Sequence, residues 1–234
     1  MILFENDNDF QEGALLLLNK PYKWTSFDLV NKVKFKIKHK FHYKKIKVGH
    51  AGTLDPLATG LLIVCVGKYT KKIDTYQSQV KEYIATLKLG ATTPSFDLET
   101  EVDQNHPTEH ITKDLIEECV HGFIGEIKQR PPDFSAVKVN GKRAYKYARQ
   151  GQKVEIKEKT LVIDDIEIIE FKDNLLKLRV VCSKGTYIRA LARDIGLALN
   201  SGAHLTALER TKIGDFNIKD ALEIEDFIKF LENL

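Results

Sequence analysis

Residues 47–62 read KVGHAGTLDPLATGLL, in which Gly49, Gly52 and Gly60 bracket an Asp-Pro pair and a continuous apolar run begins. Glycine permits tight turns and close backbone approach. Pro56 confines Asp55 to extended conformations and stiffens the loop around it. Leu61–Val66 is apolar throughout, as a central strand covered on both faces would be. Asp55 is therefore expected on a rigid loop leading into a buried strand, its carboxylate held outward as a nucleophile or base is presented. On local features alone, a structural Asp-Pro turn accounts for the same residues. A phosphate-gripping glycine loop fits poorly, because no Gly-Lys-Ser/Thr follows.

Toward the N-terminus, Ala14–Leu18 is a short apolar run stopped by Asn19-Lys20-Pro21, the pattern of a buried strand. Thr25 or Ser26 can cap a helix with Asp28 in its first turn, and Phe27, Val30, Val33 and Ile37 give that helix an apolar face. Residues 32–47 carry eight lysines and no acid. The capping signal predicts a helix running into a basic loop there, although the period-two start also suits a strand. Residues 1–12 read as a flexible acidic extension.

Beyond the opening stretch, Glu82–Gly90 alternates, placing Tyr83, Ala85, Leu87 and Leu89 on one strand face. Helices are predicted over Thr112–Phe123, Ile188–Asn200 and Asp220–Leu231. Leu161–Phe171 and Leu175–Ser183 flank Lys172-Asp173-Asn174, a hairpin signal. Strands and helices interspersed with a hairpin predict an α+β fold: a mixed, largely antiparallel central sheet with flanking helices. Residues 13–234 read as a single domain.

The chain has 234 residues, 43% hydrophobic and 29% charged, ordinary for a globular protein. Its 36 Lys+Arg and 33 Asp+Glu give a net charge of +3, too small to mark a nucleic-acid binder, but the basic residues are clustered. Cys65, Cys119 and Cys182 are far apart and form no metal-ligand spacing. Cys65 and Cys182 sit in apolar runs and read as buried thiols, which fits a reducing cytoplasm. No stretch approaches the ~20 apolar residues of a membrane span, and the first ten residues do not resemble a signal peptide.

GHAGTLDPLATGLL closely resembles the active-site motif of the TruB family of tRNA pseudouridine synthases. LLLLNKPYKWTSFDLVNKVK (15–34) looks like the family's lysine-proline segment. KEYIATLKLGATTPSFDLETEV (81–102) looks like its tyrosine-bearing strand. QRPPDFSAVKVNGKRAYKYARQG (129–151) resembles its RNA-gripping insertion, CSKGTYIRALARDIG (182–196) its arginine motif and GAHLTALERTKIGDF (202–216) its closing segment. The motifs occur in the family's order.

The resemblance implies the pseudouridine synthase fold and an isomerase that converts uridine 55 in the tRNA T-loop to pseudouridine. Asp55 would be the catalytic carboxylate, attacking C6 of the base or C1′ of the ribose, or stabilising charge during cleavage; the sequence does not choose. The reaction is an isomerisation, so no redox cofactor is needed, and no metal is implied. Arg189 is implied to lie against the carboxylate and keep it ionised. Tyr83 is implied to stack on the everted uracil, with a hydroxyl able to relay the C5 proton. Tyr187, if strand-like, would share a face with Arg189. His50 is implied to fill space left in the T-loop. Asp97 and Leu208 are candidate substrate contacts, against an ordinary solvated acid and core packing. Lys20 and Pro21 read as supports of the catalytic loop.

RNA contacts are expected from the 32–47 lysine run and from the insertion at about 129–155, where Lys128, Arg130, Lys142, Arg143 and Arg149 interleave with Tyr145 and Tyr147. Either cluster alone is equally a solvated face. Phe134 stands where the family usually has tyrosine. The residues after the closing motif are too few for the PUA-type domain of many relatives, so binding is expected to rest on the T-arm, without guide RNA and as a monomer. A tRNA-folding factor that needs no chemistry is a competing or additional role, and an Asp55-dependent hydrolase a third.

Overall fold

The computed structural model of the chain describes residues 1–5 and 9–234. The first part holds β1 (Ile2–Phe4), β2 (Ala14–Lys20), α1 (Ser26–Lys40), β3 (Val48–His50), β4 (Ala58–Val66), α2 (Ile73–Ser78) and β5 (Lys81–Leu89). The middle holds β6 (Ala91–Thr92), β7 (Gln104–Asn105), α3 (Lys113–His121), β8 (Gly125–Gln129), β9 (Lys138–Val139), β10 (Lys142–Arg143) and α4 (Ala144–Ala148). There follow β11 (Lys159–Lys172), β12 (Leu175–Cys182), α5 (Ile188–Ala198), β13 (Ala203–Ile213), β14 (Phe216–Asn217) and α6 (Ile224–Glu232). The α+β class expected from the sequence is what forms: a largely antiparallel sheet with helices packed on it. The chain falls into two compact units, Met1–Tyr83 with Glu209–Leu234, and Ile84–Leu208.

In the first unit the strand order is β1-β2-β4-β13-β5, with β3 paired to β4 and β14 to β13. β2 and β4 are antiparallel, with Leu16 opposite Val64. Leu16, Leu18, Leu62 and Val64 pack with Val33 and Ile37 of α1 and Phe227 and Leu231 of α6. Leu15, Leu17, Leu61, Ile63 and Cys65 pack on the other side with Ile213 and the partly buried Tyr69 and Ile73. Both faces of β2 and β4 are covered, which is why their sequences are apolar without alternation.

α1 begins as the sequence predicts. The Asp28 amide donates to Thr25 Oγ1 at 3.0 Å and the Thr25 amide to Asp28 Oδ2 at 2.9 Å, a reciprocal capping box. The buried face is Leu29, Val30, Val33 and Ile37. Phe27 does not belong to it and is 66% exposed, because its helical position lies away from that stripe. The chain end also differs from expectation. Ile2–Phe4 pairs with β2 and Phe10 is fully buried, so only residues 6–8 of the supposed loose extension lie outside the described residues. The last helix starts at Ile224, four residues after the expected Asp220. Ile218–Asp220 instead forms a 3-10 turn, and Leu222 docks on β2, its carbonyl accepting from the Asn19 amide at 2.9 Å.

In the second unit the order is β13-β5-β12-β11-β8. β11 and β12 form the expected hairpin, turning at Asp173 and Asn174 with φ of 52° and 60°. Two consecutive left-handed residues make the turn whose twist matches the strands. Thr112 caps α3, accepting from the Leu115 amide at 3.2 Å. No helix among the described residues is long and apolar enough to cross a membrane.

Ile37→Ala should lower stability by about 2–5 kcal/mol through the cavity it leaves, whereas Phe27→Ala should change it by less than about 0.5 kcal/mol. Urea unfolding of both variants checks the face assignment; equal losses would return Phe27 to the core.

Candidate active site

The Asp55 loop belongs to the first unit and connects β3 to β4. Its main chain is held at four points by side chains from distant parts of the sequence. Ser26, nearly buried at the start of α1, accepts from the Leu54 amide at 2.8 Å and donates to the Leu54 carbonyl at 3.1 Å. The fully buried Lys20 donates through Nζ to the carbonyls of Pro21 at 2.9 Å, Trp24 at 2.6 Å and Pro56 at 3.4 Å. Arg210, on β13 and 1% exposed, donates through Nη2 to the Gly52 carbonyl at 3.1 Å and through Nε to the Leu61 carbonyl at 2.8 Å. The Lys23 amide donates to the Pro56 carbonyl at 2.8 Å, and the Ala58 amide closes the turn on the Asp55 carbonyl at 3.1 Å.

These bonds fix the residues on either side of Asp55 and leave its side chain half-buried. Gly60 has φ of 106°, and a Cβ there would lie 2.4 Å from the Arg210 carbonyl oxygen. Only glycine lets β4 approach β13 this closely.

Burial pushes the Lys20 ammonium down to about 8; the Asp55 charge works against that shift and the Arg210 charge adds to it. Lys20 is therefore electrostatically coupled to Asp55, a role beyond the loop support read from the sequence. His50, half-buried at the end of β3, is pushed below the usual histidine range by burial and then by Arg210. Its Nδ1 finds no hydrogen-bond partner among the described residues. Tyr83 lies on the buried face of β5, as the alternation predicts. Arg210 escaped the sequence reading. It lies between Glu209 and Lys212, so its charge did not set it apart.

The second unit gathers a different set. Arg189 is 4% exposed, not the surface arginine that a helix position alone suggests. Nη1 donates to the Ser95 carbonyl at 3.1 Å, Nη2 to the Phe134 carbonyl at 2.9 Å, and Nε lies 3.5 Å from Asp97 Oδ2. Asp97 is likewise buried, not a solvated loop acid, and its Oδ1 accepts from the Glu99 amide at 2.9 Å. Tyr187 is half-buried and caps α5 rather than lying in a strand, so the period-two spacing to Arg189 does not apply. Its amide donates to Oε1 of the buried Gln129 at 2.9 Å. Leu208 is half-buried on β13.

In the insertion, Lys128, Lys142 and Arg143 are exposed. Arg130 is paired with Asp133 at 2.7 Å, and Arg149 with Glu99 at 2.9 Å while lying 5.4 Å from the Tyr145 ring. The basic cluster is thus partly neutralised.

A family model described as TruB family pseudouridylate synthase (N terminal domain) matches residues 38–188, and one described as tRNA pseudouridylate synthase B C-terminal domain matches residues 189–233. The chain belongs to the TruB family. It is 62% identical to the tRNA pseudouridine synthase B of Phocaeicola vulgatus, across 96% of this chain and 95% of that one. With the tRNA pseudouridine synthase B of Chloroherpeton thalassium it shares 43% identity, over 93% and 90%. Among solved structures it is similar to a chain of a Cbf5-Nop10-Gar1 complex, at 31% identity and a TM-score of 0.71. That match covers 94% of this chain and 55% of the other, so the TruB-family chain spans about half of that chain's length.

The Lys20 environment of this TruB-family chain is open to direct measurement. In lysine-labelled protein, one 13Cε resonance should titrate with a midpoint near pH 8, well below the ~10.4 of ordinary lysines. It should vanish in Lys20→Met. Between these two pH values the unfolded chain holds the extra proton, so Lys20's contribution to stability rises with pH through that window. A Lys20 midpoint above 10 would contradict the buried placement.

Proposed function

We propose that this chain isomerises uridine 55 in the T-loop of tRNA to pseudouridine, with Asp55 as the catalytic carboxylate. The observation that carries this reading is the pinning of the Asp55 loop at Gly52, Leu54, Pro56 and Leu61, which holds one half-buried carboxylate with little positional slack. Relatives named tRNA pseudouridine synthase B match over nearly their whole length. The target base lies inside a folded RNA and must be everted, at a cost of a few kcal/mol. The C1′–N1 bond is then broken, the uracil turned and the C1′–C5 bond formed; C5 gives up its proton and N1 takes one up, so the product is an isomer of the substrate.

Each remaining role is assigned on the resemblance and on local support. Arg189, held by two carbonyls and Asp97, serves as the guanidinium that keeps a catalytic carboxylate ionised. Tyr83 stacks on the everted base, with a hydroxyl able to relay the C5 proton. His50, Tyr187, Asp97 and Leu208 are assigned to the substrate side. Lys128, Lys142 and Arg143 supply exposed charge for the T-arm; Arg130 and Arg149 are assigned to the RNA as well, Arg130 while paired with Asp133 and Arg149 with Glu99. The chain acts alone, as a monomer without guide RNA. Cys65, Cys119 and Cys182 form no disulfide among the described residues, which suits the cytoplasm.

Tritium release from C5-labelled uridine in a tRNA transcript tests the reading. Wild type should release label, and Asp55→Asn should lose at least about 10²–10⁴-fold in rate. Release by both would remove Asp55 from catalysis; release by neither would overturn the activity. Tyr83→Phe separates stacking from proton relay. If the hydroxyl relays the proton, Tyr83→Phe loses release as Tyr83→Ala does; if only the ring matters, Tyr83→Phe keeps it.

A further inference from the structure

α1 buries Leu29, Val30, Val33 and Ile37, and its opposite face has no covering element among the described residues. At 100° per residue, Phe35 sits directly across the helix from that buried stripe, the position where an apolar ring gains least from the fold. It is 63% exposed and stacks on His39 with ring centroids 6.0 Å apart. Lys34 and Lys38 flank it on one side and Lys32 on the other, all exposed. His42, Lys44, Lys45 and Lys47 extend the exposed charge past the helix end. None of the eight lysines in 32–47 forms an ion pair among the described residues. By contrast, Arg130 and Arg149 of the insertion are carboxylate-paired. A solvated helix face needs lysines, and usually acids between them at i,i+4. It does not need a phenylalanine at its outermost position.

Lysines without acids match a polyphosphate chain, and an exposed aromatic among them matches an unpaired base. The position of the face is also defined. α1 starts at Ser26, which is bonded to Leu54 beside Asp55. At 1.5 Å per residue the helix carries its last lysines ~20 Å from that anchor.

We propose that the solvent face of α1 and the turn after it form a second RNA-docking surface, which grips phosphates of the RNA flanking the everted nucleotide and stacks an unpaired base on Phe35. This rests on the reading of the chain as a tRNA-modifying enzyme, and it adds a point of attachment remote from the reacting base.

Equilibrium binding of an unmodified tRNA transcript over a range of salt concentrations tests it. Lys32→Gln/Lys34→Gln/Lys38→Gln should weaken binding about 10-fold or more and make the salt dependence shallower by about 0.7–0.9 in log–log slope for each phosphate that is no longer neutralised. Phe35→Ala should weaken it between about 5- and 150-fold. An oligonucleotide of the loop sequence alone, which lacks the flanking stem phosphates, should lose less affinity than tRNA does in the lysine variant. Unchanged tRNA affinity and slope would overturn the proposal, and so would equal losses on the loop oligonucleotide. Lysine-dependent binding to phosphatidylglycerol vesicles with tRNA binding unaltered would reassign the face to lipid. Binding is read without turnover, so failure here is separable from failure of tritium release.

Discussion

Two buried cations hold the Asp55 loop, and they do so through main-chain carbonyls. Placing an ammonium and a guanidinium inside a fold is costly unless their protons are satisfied. Here Lys20 satisfies three carbonyls and Arg210 two, and the positive charge that remains is directed at the nearby titratable groups. Burial and then the Arg210 charge lower His50, and the Asp55 charge favours the ionised form of Lys20. The same bonds that set the shape of the loop also set its electrostatics. A substitution that spared the shape but removed a charge would still alter the site.

That arrangement needs a stiff support. β2 and β4 are covered on both faces, so the strand entered from the Asp55 loop has little room to shift. In the other unit, Arg189 is held by bonds to Ser95 and Phe134, carbonyls lying far apart in sequence, and by its pairing with Asp97. The bond to Phe134 goes to the main chain, so the missing tyrosine hydroxyl at this position leaves it intact.

Local chemistry was legible in the sequence and distant partnership was not. The Thr25–Asp28 capping box, the apolar β2 and β4, the alternation of β5 and the Asp173-Asn174 turn each depend on residues within a few positions of one another. Phe27 was misplaced because an apolar residue at helical spacing looks the same whether it faces the core or solvent. Ser26 with Leu54, Lys20 with Pro56 and Arg210 with Gly52 are 28, 36 and 158 residues apart, and no local pattern announces such pairs. Asp97 and Arg189 were singled out only through family resemblance. Their burial, and the carbonyls that hold Arg189, came from the fold.

The clasp of Arg210 on Gly52 and Leu61 also orders events during synthesis. A nascent chain leaves the ribosome N-terminus first, so β2, α1 and β4 emerge long before β13 exists. The Asp55 turn can close early through the pairing of β3 with β4 and the Ser26 and Lys20 bonds, but the Arg210 bonds to Gly52 and Leu61 cannot form until residue 210 is clear of the exit tunnel. A truncated translation product that ends before β13 carries every residue of the Asp55 motif but lacks the two guanidinium bonds that complete its framework.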